Sequence, residues 1–212
     1  VTNNQQISAN AKITSTVDSR KISSLNGNSA DTAIVVVRLA ALSVSKSVSP
    51  AEGNIGCSHE WSLNIGNNSQ TDIEGVKMVD TMPYVGDGRG TSFTGDYHIK
   101  KIEIDFSKAP RTFSTISEEP LKYTSDEVSR TDGDDKIIGA STATFESLGK
   151  PTKNNTSLIW DNIDMTQEQL KAWVLDIGKL AGTQYVTMHI SIDTSDNNGN
   201  LYKDKNGKTQ QP

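Results

Sequence analysis

Two charged residues stand out by position rather than by type. Leu42, Val44, Lys46 and Val48 alternate with Ser43, Ser45 and Ser47, the period of a strand with one buried face. Lys46 therefore falls in the apolar phase. Asp80 does the same at the end of a strand in which Val76 and Met78 share its phase. An ammonium group held in an apolar face without a partner is costly. Lys46 must meet a carboxylate, give up its charge, or snorkel to the edge of the sheet. A half-buried Lys46–Asp80 ion pair is the plain reading of the two positions.

The other residues that could do chemistry point to less. His59, His98 and His189 are dispersed, and none has metal-ligand spacing. His59 and His189 fall on expected polar strand faces and read as surface histidines. Cys57 follows Gly56 at the start of a strand. With no basic neighbour in view it reads as a small half-buried thiol rather than a nucleophile, and one cysteine cannot form an intramolecular disulfide. Asp132, Asp134 and Asp135 cluster in one turn, and Asp193, Asp196, Asn198, Asn200 and Asp204 lie along the tail. Both groups carry oxygens of the kind calcium takes. Neither has the EF-hand spacing, because Gly199 comes too early after Asp196. They read as solvated turns, so no metal and no cofactor is expected. No acid pair or activated nucleophile emerges, and the chain reads as a non-enzyme.

The elements that would position these residues are mostly strands. Trp61, Leu63 and Ile65 alternate with Glu60, Ser62 and Asn64. A turn at residues 66–70 follows, then a strand through Val76 and Met78 to Asp80, closed by Thr81-Met82-Pro83. Alternation returns at residues 98–106 and at Val186, Met188, Ile190 and Ile192. Shorter strands are expected near residues 121–123, 136–145 and 157–160. Thr166-Gln167-Glu168-Gln169 has the form of a capping box, which predicts one or two helical turns over residues 166–172 before a further strand. Residues 84–97 form a glycine-rich loop, and residues 107–157 are rich in loops. Residues 32–39 (TAIVVVRL) read as a central strand. Trp61, Leu63, Ile65, Val76, Met78, Val186, Met188 and Ile190 are the expected core.

Composition narrows the partners. The 212 residues carry a net charge of −5 with 22% charged residues, and no basic patch of the kind a nucleic-acid binder needs. No apolar run is long enough to span a bilayer as a helix. Neither a signal peptide nor a wall-sorting motif is visible, so a secreted protein would be represented here by a mature fragment.

The run LSVSKSVSP…WSLNIGN…VKMVDTMP resembles the repeat of large Gram-positive surface proteins catalogued as domain of unknown function eleven. That repeat has a strand with Lys, a Gly, an aromatic-led strand ending in Asn, and a strand ending Asp-Thr-Leu-Pro. Here these are Lys46, Gly56, Trp61, Asn67 and Asp80-Thr81-Met82-Pro83, with Trp61 where Tyr is usual and Met82 where Leu is usual. The resemblance covers residues 42–83 well and the rest loosely. It implies an all-β, immunoglobulin-like antiparallel β-sandwich with long loop insertions, repeated in tandem on the bacterial cell surface. It also implies a structural or adhesive module. Residues 1–39 look like the last two strands of a preceding repeat, and residues 40–212 like a repeat lacking its own last strands. Strand addition, within one chain or between neighbouring copies, would then complete the sandwich. Related sandwiches join a Lys on an early strand to an Asn on a late one, with an acid holding the shared proton. By that resemblance Lys46, Asp80 and either Asn3 or Asn4 are candidates for an isopeptide bond. Host proteins or glycans are the partners expected for the loops. The rival reading, a carbohydrate-binding module of a secreted protein, needs exposed aromatics such as Tyr84, Tyr97, Tyr123 and Trp160.

Overall fold

In the computed structural model the described residues are 42–50, 55–84, 93, 95–130, 137–138 and 143–210. The chain divides into residues 1–41 and residues 42–212, and the fold below is that of the second part. The expected strands of residues 1–39, with Asn3 and Asn4, lie outside the described residues, as do Asp132, Asp134 and Asp135.

The strands in chain order are β1 (Leu42–Ser49), β2 (Ser58–Asn67), β3 (Ile73–Thr81), β4 (His98–Asp105), β5 (Leu121–Thr124), β6 (Ser129–Arg130) and β7 (Ile137–Ile138). They continue as β8 (Glu146–Ser147), β9 (Thr152–Lys153), β10 (Ser157–Trp160), β11 (Met165–Thr166), β12 (Ala172–Leu180) and β13 (Tyr185–Asp193). A seven-stranded sheet runs β1-β2-β13-β4-β10-β9, with β11 also on β4. A four-stranded sheet runs β3-β12-β5-β8, and β6 and β7 form a separate pair. All pairings are antiparallel. The two larger sheets share one core, as an all-β sandwich requires.

The period-two patterns explain which residues fill that core. Leu63 and Ile65 of β2, Ile102 and Ile104 of β4, and Val186, Met188 and Ile190 of β13 face Val76 and Met78 of β3 and Trp173, Leu175 and Ile177 of β12. Every expected core residue is buried except Trp61, which is partly buried and packs against the cluster. In β4 the strict alternation breaks, because both Ile99 and Ile102 are buried. A bulge between Ser191 and Ile192 in the β13–β4 pairing re-aims the strand and accommodates the extra residue.

The expected helix over residues 166–172 is not formed. Half of the capping box exists, since the Thr166 N–H donates to Gln169 Oε1 at 3.0 Å. The Gln169 and Leu170 N–H groups both donate to the Thr166 carbonyl, which makes one turn and no more. The Lys171 N–H then donates to the Thr124 carbonyl at 2.8 Å, and β12 begins at Ala172. Pairing with β5 takes over before a second turn can close. The helix among the described residues is instead α1 (Pro110–Phe113), inside a stretch expected to be loop. Pro110 opens it, where a missing N–H costs nothing.

One buried amide ties the strand ends together. The Asn67 side chain donates to the carbonyls of Thr71 at 2.8 Å and Leu180 at 2.9 Å. Its oxygen accepts from the Ser69 N–H and hydroxyl, and its backbone N–H donates to the Gln184 carbonyl. The crossing from β2 to β3 is thereby fastened to the turn between β12 and β13. Gly182 sits in that turn because a Cβ there would lie 2.4 Å from the Gln70 carbonyl oxygen. Asn67→Ala should destabilise the fold by about 2–3 kcal/mol, since it strips donors from two carbonyls at a buried crossing. Denaturant unfolding measures this, and a loss under about 0.5 kcal/mol would show that the amide does not tie the strands.

Candidate functional site

The seven-stranded sheet ends in β1, which pairs with β2 from Leu42↔Asn67 to Ser49↔Glu60. No described strand lies on its other side. The four-stranded sheet ends in β3, whose Val76 and Met78 are buried in the same cluster as Leu63 and Ile65 of β2. That cluster includes residues of β2 and none of β1, so β1 overhangs the shared core. The apolar phase of β1 was expected to be buried. Instead Leu42 is 44%, Val44 64% and Val48 38% exposed. Local alternation puts Val44, Lys46 and Val48 on one face of β1, but no described strand covers that face.

At this overhang the structure brings Lys46 and Asp80 together. Lys46 Nζ lies 2.7 Å from Asp80 Oδ2 and 4.6 Å from the centre of the Trp61 ring. The side chains are 35% and 15% exposed. The pair links the last strand of one sheet to the last strand of the other. The ammonium has a carboxylate on one side and an aromatic face on the other, two of the few partners that make a half-buried charge tolerable. Asn3 and Asn4, the other two isopeptide candidates, lie outside the described residues.

Next to this edge Trp61, Tyr97, Phe93, Pro83, Val48 and His59 help to line a cleft of about 270 Å³. His59 thus shares the inner phase with Trp61, a correction to its expected place on a polar face. It also gives Cys57 the partner that sequence inspection missed. The Pro50 carbonyl, 3.1 Å from His59 Nδ1, can only accept. In the neutral ring the proton is therefore on Nδ1, and Nε2 accepts from the Cys57 thiol at 3.0 Å. The signal was legible as two residues at i and i+2 where the chain enters β2. His98 and His189 are taken up in surface contacts. His98 pairs with Asp164 and stacks on Tyr202 at 3.6 Å, and His189 Nδ1 lies 3.0 Å from Glu60 Oε1.

The tail carboxylates considered for calcium are engaged separately. Asp193 accepts from the Ser58 hydroxyl. Asp196 accepts from the N–H groups of Asn198 and Asn200 and from the Asn200 amide. Those bonds, the Asn200 side chain foremost, hold its carboxyl below the usual carboxylate range. Asp204 accepts from the N–H groups of Asn206 and Lys208. The runs 196–200 and 204–208 are one turn made twice, each with a positive-φ glycine, Gly199 and Gly207. Asn198 serves this turn through its backbone. Among the described residues no group of three or more His, Cys, Asp or Glu is placed to hold a metal. A polar hollow on the outer face of the larger sheet contains Glu60, Glu103, Asp105 and His189. Lys101 stands among them, 2.8 Å from Glu103, and its hydrogen bond holds the Glu103 carboxyl below its ordinary range.

No protein-family model matches the sequence, and no curated protein matches it with significance. Tyr84, Tyr97 and Trp160, three of the aromatics considered for stacking on sugars, are buried, while Tyr123 packs against the core.

The Lys46–Asp80 contact should behave as more than a surface pair. A double-mutant cycle with Lys46→Met and Asp80→Asn should give a coupling of roughly 1–2 kcal/mol, above that of exposed pairs, because Asp80 is mostly buried. Coupling indistinguishable from zero would show that the two charges stand together without holding each other.

Proposed function

We propose that this chain is a non-enzymatic structural and adhesive module of a bacterial cell-surface protein or fibre. It would space a stalk, or hold loops out for contact with a host protein or glycan. The observation that carries the reading is the edge of β1, with which no described strand pairs on the side away from β2. A sandwich whose last strand carries bare valines beside a half-buried ion pair is shaped to receive another strand, since natural sheets normally blunt or cover such an edge. The resemblance of residues 42–83 to a Gram-positive surface repeat points the same way, as does the long excursion between β3 and β4, because loops on a rigid sandwich commonly carry binding.

In this reading residues 1–39 supply closing strands, within the same chain or head to tail in a neighbouring copy. Asn3 or Asn4 then comes to Lys46. The Lys46 amine attacks the side-chain carbonyl carbon of the Asn, and a new carbon–nitrogen bond forms as the Asn amide nitrogen leaves as ammonia. Asp80 carries the proton between the two nitrogens. The product is a cross-brace that resists pulling.

Intact mass spectrometry tests the covalent step. The full chain should weigh one ammonia less than its sequence, and Lys46→Ala should weigh what its sequence dictates. If copies are joined instead, ladders should survive boiling in detergent. Unmodified mass with no ladder would reduce the site to an ion pair.

A further inference from the structure

The sequence of β1 has a property that its strand character does not require. Ser43-Val44-Ser45-Lys46-Ser47-Val48-Ser49 reads the same in both directions about Lys46. A two-fold axis through an antiparallel strand pair performs that same reversal. We propose that β1 pairs with β1 of a second copy across a two-fold axis at Lys46, joining two seven-stranded sheets into one. This rests on the reading of this edge of the sandwich as an assembly surface; it gives the hydrogen-bonding side of β1 to a second copy and leaves the closing strands to β3, the end strand of the smaller sheet.

The register follows from the residues. Val44 of each copy stands opposite Val48 of the other, on the face where both are exposed, and serine stands opposite serine on the reverse face. Cross-strand β-branched pairs of this kind favour pairing. A slip of one residue would set valine against serine and turn the apolar sets to opposite faces. A slip of two would place Lys46 against a valine. Lys46 meets Lys46 on the axis, and an inward lysine on an edge strand ordinarily guards against such pairing. Here Asp80 lies 2.7 Å from each ammonium, so the axis carries two neutralised pairs rather than two bare cations.

The contact is small. The eight residues of β1 offer an edge of about 27 Å at roughly 3.4 Å per residue, which is short of what a tight interface between free proteins buries. It gains strength where copies are already held close, as in an array. Equilibrium sizing would miss it, and site-specific cross-linking would not.

The full chain carrying Cys57→Ser is made with Val44→Cys or with Val48→Cys. Both positions are exposed, and matching melting temperatures confirm that each variant folds. The two are mixed and oxidised with glutathione disulfide, which accepts the electrons of the two thiols. The inference predicts a disulfide-linked dimer in the mixture, formed at least tenfold faster than in either variant alone. Equal cross-linking of Val44→Cys with itself would mean a parallel register or random collision and would overturn it, as would a mixture that stays monomeric. In that event the mass test of Lys46 still stands or falls by itself, so failure here is distinct from failure of the closing-strand reading.

Discussion

Two sheets of unequal width share one hydrophobic core, and the wider one must overhang somewhere. Burial drives each inward face against the other. The shared core includes residues of β2 and none of β1, so β1 is held by its hydrogen bonds to β2 and by the Lys46–Asp80 pair that reaches across to β3. From this follow the bare Val44, the half-buried Trp61 and the strut from Lys46 to Asp80. At the far end of β2 the Asn67 amide fastens the sheets where the chain crosses between them. One end of the sandwich is thus tied from within. The edge is tied by charges that face solvent in part.

Much of this was legible because a period of two is a local signal. β2, β3 and β13 each announce their inward residues, and a charged residue in an apolar phase, Lys46 or Asp80, announces that it needs a partner. What was not legible depends on the number of strands in the opposing sheet, which no window of sequence contains. Val44 and Val48 look like core residues and are not. Trp173 and Ile177, four residues apart, suit one face of a helix and one face of a strand alike. The choice is made by the Thr124 carbonyl, a long-range partner. Proline at a first helical turn was a fair signal for α1, but so short a helix leaves no periodicity. The second Asp-x-Asn-Gly turn was visible as a repeat, and its meaning, two self-satisfied turns, appears only with the hydrogen bonds.

In the proposed role of a stalk module the chain would need stiffness along its length and a defined way of meeting its neighbours. The shared core and the Asn67 crossing supply the first. The edge, with its self-complementary strand and its ion pair, offers the second, and β1 and β3 could serve different neighbours because they lie at the ends of different sheets.

Hydrogen exchange measured on the full chain over a range of concentrations tests the central claim, that the β1 edge is an assembly surface. Successive residues of an antiparallel strand direct their N–H groups to opposite sides, so half of the β1 amides are already protected by β2 and half face outward. The account predicts that the outward half slows as concentration rises, while the amides of β13, inside the sheet, do not change. Outward β1 amides that exchange at one rate at every concentration would contradict it.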